Sequence, residues 1–207
     1  MDETVTILEQ LHEVSLDQHG LVTSEQAAAK SIPRQKLVEL AIRGRLERLQ
    51  RGIYRFPQAP GSRYQNWELA VLWTGVPEAC LSYETALAAW GIAWDIGGVN
   101  PAQIHVTVGR LRRIRREGGE DYRIHHEDLT EQQRTWIEQV PITDVPTTIR
   151  QCITWGTSTG LIKRALERAS VTGQLLKPDT ERLTRQLKDR DHERRSGPTI
   201  RRARSVG

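Results

Sequence analysis

Between Gly20 and Phe56 the chain is punctuated at such short intervals that only a small, tightly turned arrangement fits it. Thr23-Ser-Glu-Gln26 has the form of a capping box, in which the threonine accepts from a helix amide and the glutamine reaches back. The helix it opens is short and alanine-rich (Ala27, Ala28, Ala29). Ser31-Ile-Pro33 follows as a turn, and Pro33 suits the first turn of another helix, which runs to about Arg43 and stops at Gly44. Arg45 to Leu49 then alternates polar and apolar, Gln50-Arg-Gly52 supplies a turn, and Ile53 to Phe56 alternates again, as the two strands of a hairpin do. Ahead of all this, residues 4–16 place Val5, Leu8 and Leu11, with Ile7 and Val14 adjoining, on one face of an amphipathic helix that ends by Gly20. A helix, a helix-turn-helix and a hairpin in this order predict a winged helix-turn-helix.

Charge is segregated along the same stretch. The whole chain of 207 residues carries 30 Lys and Arg against 26 Asp and Glu, a formal charge of only +4. Residues 1–29 hold six acids and no Lys or Arg, whereas residues 30–55 hold eight cations against Glu39 and Glu47. Arg outnumbers Lys throughout, and Arg is the better bidentate partner for phosphate and guanine. A basic hairpin directly after a helix-turn-helix predicts DNA as the partner. In the third helix, Leu37, Val38, Leu40, Ala41 and Ile42 form an apolar face, and Gln35, Lys36, Glu39 and Arg43 share the opposite one. Placed in a major groove, Gln35 can read adenine, and Arg43 or Lys36 can read guanine or touch phosphate. Glu39 can accept from a cytosine amino group or simply pair with Arg43 four residues on. Ser31 and Arg34 at the helix start, and Arg45, Arg48, Arg51 and Arg55 on the hairpin, are expected to hold phosphates or a minor groove. Such contacts set register and salt dependence rather than sequence choice.

Residues 57–63, with Pro57, Pro60 and Gly61, read as a linker between an N-terminal domain (1–57) and a mixed α+β C-terminal domain (64–187). In the latter, helices are expected over 64–74, 78–90, 159–169 and 178–187, and strands over 104–108 and 122–126. The fold class expected is α+β. The block Arg110-Leu-Arg-Arg-Ile-Arg-Arg116 can bind an acidic protein face or add a second DNA contact. Residues 188–207 carry seven cations against three acids with almost nothing apolar, and are expected to form a disordered tail. Trp67, Trp73, Trp90, Trp94, Trp136 and Trp155 are expected in the core or between helices, with one or two available as partner anchors.

Catalytic readings find little support. Cys80 and Cys152 lack nearby ligand-type neighbours, so structural thiols are expected. His125 and His126 adjoin on a strand and must point to opposite faces, which makes shared metal ligation awkward. No phosphate-binding loop, Gly-x-Ser-x-Gly or His-Glu-x-x-His is present. Glu117, Glu120 and Asp121 share a glycine-bearing loop without the partner a nuclease needs. No enzyme, cofactor or metal is expected. The start Met1-Asp2-Glu3 lacks the features of a signal peptide, and no apolar run suits a membrane span, so a cytoplasmic protein is expected.

Several motifs resemble a known family. Gly20-Leu-Val-Thr23, Ala28, Ile32-Pro33, Leu37, Leu40, Gly44-Arg-Leu46 and Arg51-Gly-Ile-Tyr-Arg55 resemble the N-terminal winged helix of AbiEi-type antitoxins of bacterial type IV toxin–antitoxin systems. The likeness extends more loosely to about residue 175. Leu81 to Leu87 with Gly91 is similar to the family's Ser-x-x-Ser/Thr-Ala-Leu helix, and Ile104 to Val108 to the strand after it. Where the family usually carries Thr-x-Pro-Glu-Arg-Thr and then Asp, this chain has Pro146-Thr147 in place of the Glu-Arg pair and Gln151 in place of the acid. The resemblance implies a repressor that binds inverted repeats in its own promoter, and a C-terminal domain that counters a nucleotidyltransferase-like toxin. The alternative is a free-standing winged-helix regulator whose C-terminal domain senses a ligand or dimerises; a DNA-acting enzyme is the third.

Overall fold

The computed structural model describes residues 6–93 and 103–196. The fold is mixed α+β, with two sheets. In the N-terminal half, α1 (Ile7–Leu16) is opened by Thr6 and Glu9 as a capping box, and α2 (Ser24–Ala29) by Thr23 and Gln26 in the same way. α3 (Arg34–Ile42) begins directly after Pro33. Strands β1 (Leu21–Thr23), β2 (Glu47–Gln50) and β3 (Ile53–Arg55) form an antiparallel sheet in the order β1-β3-β2. β1 lies in the stretch read only as leading into a cap, because three residues give too short a period to detect. The register between β2 and β3 shifts between Arg48 and Gln50.

The two faces of this sheet have different partners. Val22 and Tyr54, paired across β1 and β3, pack with Leu11, Ala27, Ile32, Leu37 and Leu46 in the core under the three helices. Strand alternation turns Leu21, Thr23 and Ile53 the other way, and they are buried as well. The element there is α4 (Gln65–Thr74), which touches β1 and β3 and also β4, β5 and β8 of the second sheet. Its apolar residues run all round because both sides are covered. Residues 57–63 form no helix or strand, and they fold back tightly. Gly20 has φ +80°, and a Cβ there would overlap that of Ala59.

The second sheet has the order β6-β5-β4-β8-β7, with β4 (Cys80–Leu81), β5 (Ile104–Val108), β6 (Tyr122–His126), β7 (Arg134–Ile137) and β8 (Val140–Thr143). β4 corrects the helix expected over 78–90: Cys80 and Leu81 pair with Thr107 and Val106, and Leu81 also meets Ile142. The helix itself, α5 (Tyr83–Ala89), begins only at Tyr83, whose φ is +52°. Long-range pairing overrode a local helical pattern. α6 (Val145–Trp155), α7 (Thr159–Val171) and α8 (Lys177–Ser196) close the molecule, with α6 packed on α5, α7 and α8. α8 corrects the expected tail: residues 188–196 are helical, anchored where Arg190 donates to the carbonyls of Ile153 and Thr157 at 3.3 and 2.8 Å. The rest of that tail, 197–207, lies outside the described residues, as does Trp94. No helix among the described residues is long and apolar enough to cross a membrane.

The tryptophans also divide. Trp73 is buried, whereas Trp136 on the edge strand β7 and Trp155 at the end of α6 are 67% and 48% exposed.

Candidate nucleic-acid interface

Ser31 enters the turn before α3 with φ +61°, and buried Ile32 anchors that turn in the core. The helix that follows covers a narrower core stripe than expected. Leu37 is buried and Leu40 and Ala41 are half-buried, but Val38 and Ile42 are 37% and 81% exposed. Helix geometry explains this: at about 100° per residue, Val38 and Ile42 sit roughly 100° and 140° from Leu37. They share the outer face with Gln35 and Arg43. The i,i+4 spacing of Val38 and Ile42, taken with Gln35, was the signal in the sequence that could have placed them there.

The cations are not equivalent. Arg34, Gln35, Arg43 and Arg45 are exposed, as are Ser31, Arg48 and Arg51. Among the described residues no carboxylate pairs with Arg34, Arg43, Arg45, Arg48 or Arg51. Lys36 instead holds Glu39 at 3.1 Å. The alternative partner weighed for Glu39, Arg43, is thus left free. On the hairpin, Arg55 pairs with Glu47 across β2 and β3 at 2.7 Å, so its charge is largely spent inside the fold. Among the described residues, the outer side of α3 and the hairpin together therefore present five arginines without a carboxylate partner, one glutamine and two exposed apolar side chains.

The arginine block lies in the turn after β5. Three of its five members are engaged: Arg110 lies 4.0 Å from Asp128, Arg112 makes a two-point pair with Glu78 at 2.5 and 3.1 Å, and Arg116 holds Glu25 of α2 at 2.6 Å. The Arg112 guanidinium keeps the Glu78 carboxyl below the usual carboxylate range. Arg113 and Arg115 are exposed, with no carboxylate partner among the described residues. Sequence reading missed that this block reaches α2 of the N-terminal half, since the Arg116–Glu25 pair spans 91 positions.

Residues 9–57 match the model of a family described as "Transcriptional regulator, AbiEi antitoxin". Over that span the chain is similar to AbiEi-type antitoxin regulators. No curated protein matches the chain. The matched segment takes in most of α1, all of α2 and α3 and the β2–β3 hairpin, and so contains every free cation named above except Arg113 and Arg115. It ends at the stretch that folds back over Gly20.

A second polar cluster lies under the larger sheet, away from this face. Nδ1 of His105 is 2.9 Å from Nε2 of His125, and the Tyr83 ring stacks on His125 with centroids 3.7 Å apart. His126 points to the opposite face and is exposed. Gln151, standing where the resemblance leads one to expect an acid, donates to Glu127 at 2.9 Å, and Arg150 pairs with the same carboxylate at 2.5 Å. The two imidazoles are buried and bonded to each other, and Gln151 and Arg150 both engage the Glu127 carboxylate, which suits a structural role. Burial raises the thiol of Cys80 to about 12 and that of Cys152 further.

Proposed function

We propose that this chain is a cytoplasmic antitoxin that binds inverted repeats in its own promoter, represses its operon, and neutralises a nucleotidyltransferase-like toxin encoded beside it. The observation that carries the reading is the AbiEi regulator match coinciding with a helix whose outer face presents Gln35, Arg34 and Arg43 without a carboxylate partner among the described residues. In this reading residues 1–57 form a winged helix, α3 lies in the major groove, and the β2–β3 hairpin is the wing. Gln35 addresses adenine and Arg43 guanine, while Val38 and Ile42 offer apolar contact to thymine methyls. Lys36, tied to Glu39, serves phosphate rather than a base, and Arg34, Arg45, Arg48 and Arg51 do the same. We assign no catalysis to the chain. Both thiols are buried and held protonated, and Glu120 and Asp121 are exposed loop residues.

Two results test this. Arg43→Ala and Gln35→Ala are each expected to weaken operator binding by about 1–3 kcal/mol while leaving random DNA nearly unaffected. A gel-shift titration against both duplexes reads the difference, and unchanged operator affinity in Arg43→Ala would remove α3 from the groove. Co-expression is expected to rescue growth arrested by the adjacent gene's product. Failure with a confirmed toxic neighbour would sink the antitoxin role and leave the free-standing regulator.

A further inference from the structure

Between α2, the start of α3 and the hairpin turn on one side and α4 with the loop after β5 on the other lies an open cleft of about 480 Å³ whose charge comes from both halves of the chain. Arg34 from the first residue of α3 and Arg51 from the hairpin turn line one side, and Arg115 and Arg116 line the other. Glu25 and Glu117 are the carboxylates among its lining residues, and Glu25 is already taken by Arg116. Arg34, Arg51 and Arg115 thus converge on one wet space with no carboxylate partner among the described residues. Three like charges so placed repel one another, and a bound anion relieves that repulsion.

The arginine-bearing loop is held there by specific contacts. The indole N–H of Trp73 donates to the carbonyl of Glu117 at 3.0 Å, and a Cβ at Gly119 would run into the Trp73 ring. From the N-terminal side, Gln50 donates to the hydroxyl of Tyr122 at 3.1 Å, and the Arg116–Glu25 pair spans the cleft wall. Arg115 is therefore carried on a held backbone in the same cleft as Arg51, and ordering costs on binding fall largely on its side chain.

We propose that this cleft grips the phosphate backbone of duplex DNA, so that the C-terminal half of the chain supplies part of the DNA-binding surface through Arg115. The proposal rests on the DNA-binding reading of α3 and the hairpin. Continuity decides the partner: Arg34 and Arg51 belong to that surface already, and guanidinium groups match phosphate oxygens in two-point geometry. Backbone contacts of this kind carry no sequence information, so their signature is salt dependence on any sequence.

The test uses the full chain and a labelled 30-base-pair duplex of random sequence, with affinity followed by anisotropy from about 50 to 300 mM NaCl. Arg115→Ala and Arg51→Ala are each expected to weaken binding about three- to tenfold and to reduce the slope of log K against log salt by about one. Arg115→Lys restores most of the loss, and Glu117→Gln tightens binding by removing a repelling carboxylate. Arg185→Ala, on the exposed face of α8, changes nothing. Arg51→Ala weakening binding while Arg115→Ala matches the parent would overturn the cleft proposal and leave the DNA reading standing. A loss in Arg115→Lys as deep as in Arg115→Ala would mean a packing role and overturn it equally. A parent protein with no salt-dependent affinity for DNA would overturn both.

Discussion

Lowering the pH from 7 to 4 is expected to destabilise the fold by on the order of 3 kcal/mol through one buried histidine pair. His105 and His125 are 3% and 7% exposed. Burial lowers the His105 pKa to about 4, helped by Arg123. Burial, then His105, Arg123 and His126, lower that of His125 to about 3. One neutral ring donates across the 2.9 Å contact and the other accepts; a further proton would set donor against donor. Above about pH 6.5 both rings are neutral in the folded and unfolded chain, and the pair costs nothing. Below it the unfolded chain takes up protons that the folded chain refuses, so stability falls as the pH drops toward 4 and 3. The difference in urea midpoint between the parent and a variant lacking the pair, at pH 7, 5.5 and 4, reads this limb with the Glu68 slope cancelled. The double variant His105→Leu/His125→Phe should flatten it whatever its absolute stability; an unchanged slope would assign acid sensitivity elsewhere.

Glu68→Gln is expected to stabilise the protein by about 2–3 kcal/mol at pH 7.5. Glu68 lies on α4, the helix shared by both sheets, and is 3% exposed, with Oε2 lacking a hydrogen-bond partner. Burial raises its pKa to about 8. The folded chain therefore keeps a proton that the unfolded chain releases above about pH 4.5, and stability falls as the pH rises from there to about 8. Between about 4.5 and 6.5 this slope opposes that of the histidines, so each shows cleanly only outside that window. Thermal melts of parent and variant at pH 5 and 8 separate them: the gap should widen at pH 8. Equal gaps at both values would mean that Glu68 is not held protonated.

The elements of the first sixty residues were legible because their signals are local. The Thr23–Gln26 box and Pro33 mark two helix starts, and Gly44 and Gly52 fall at positive φ where the chain must turn. β5 and β6 were legible through alternation. β4, β7 and β8 were not, since two to four residues carry no period and their identity comes from partners across the sheet. α8 was misread past residue 187 because it has few apolar positions, and its anchor is Arg190 reaching the carbonyls at the end of α6.

The sequence by itself determined the small N-terminal unit, the segregation of its charge, and the residue types on α3, all of which depend on spacings of a few positions. Only the tertiary structure decided which charges remain free, because Glu47, Glu39, Glu78 and Glu25 neutralise particular cations through contacts set by folding. It alone brought Arg115 into one cleft with Arg34 and Arg51, and it alone buried Glu68 and paired His105 with His125. Electrostatic energy depends on distance and on exclusion of water, and neither is written in the order of the residues.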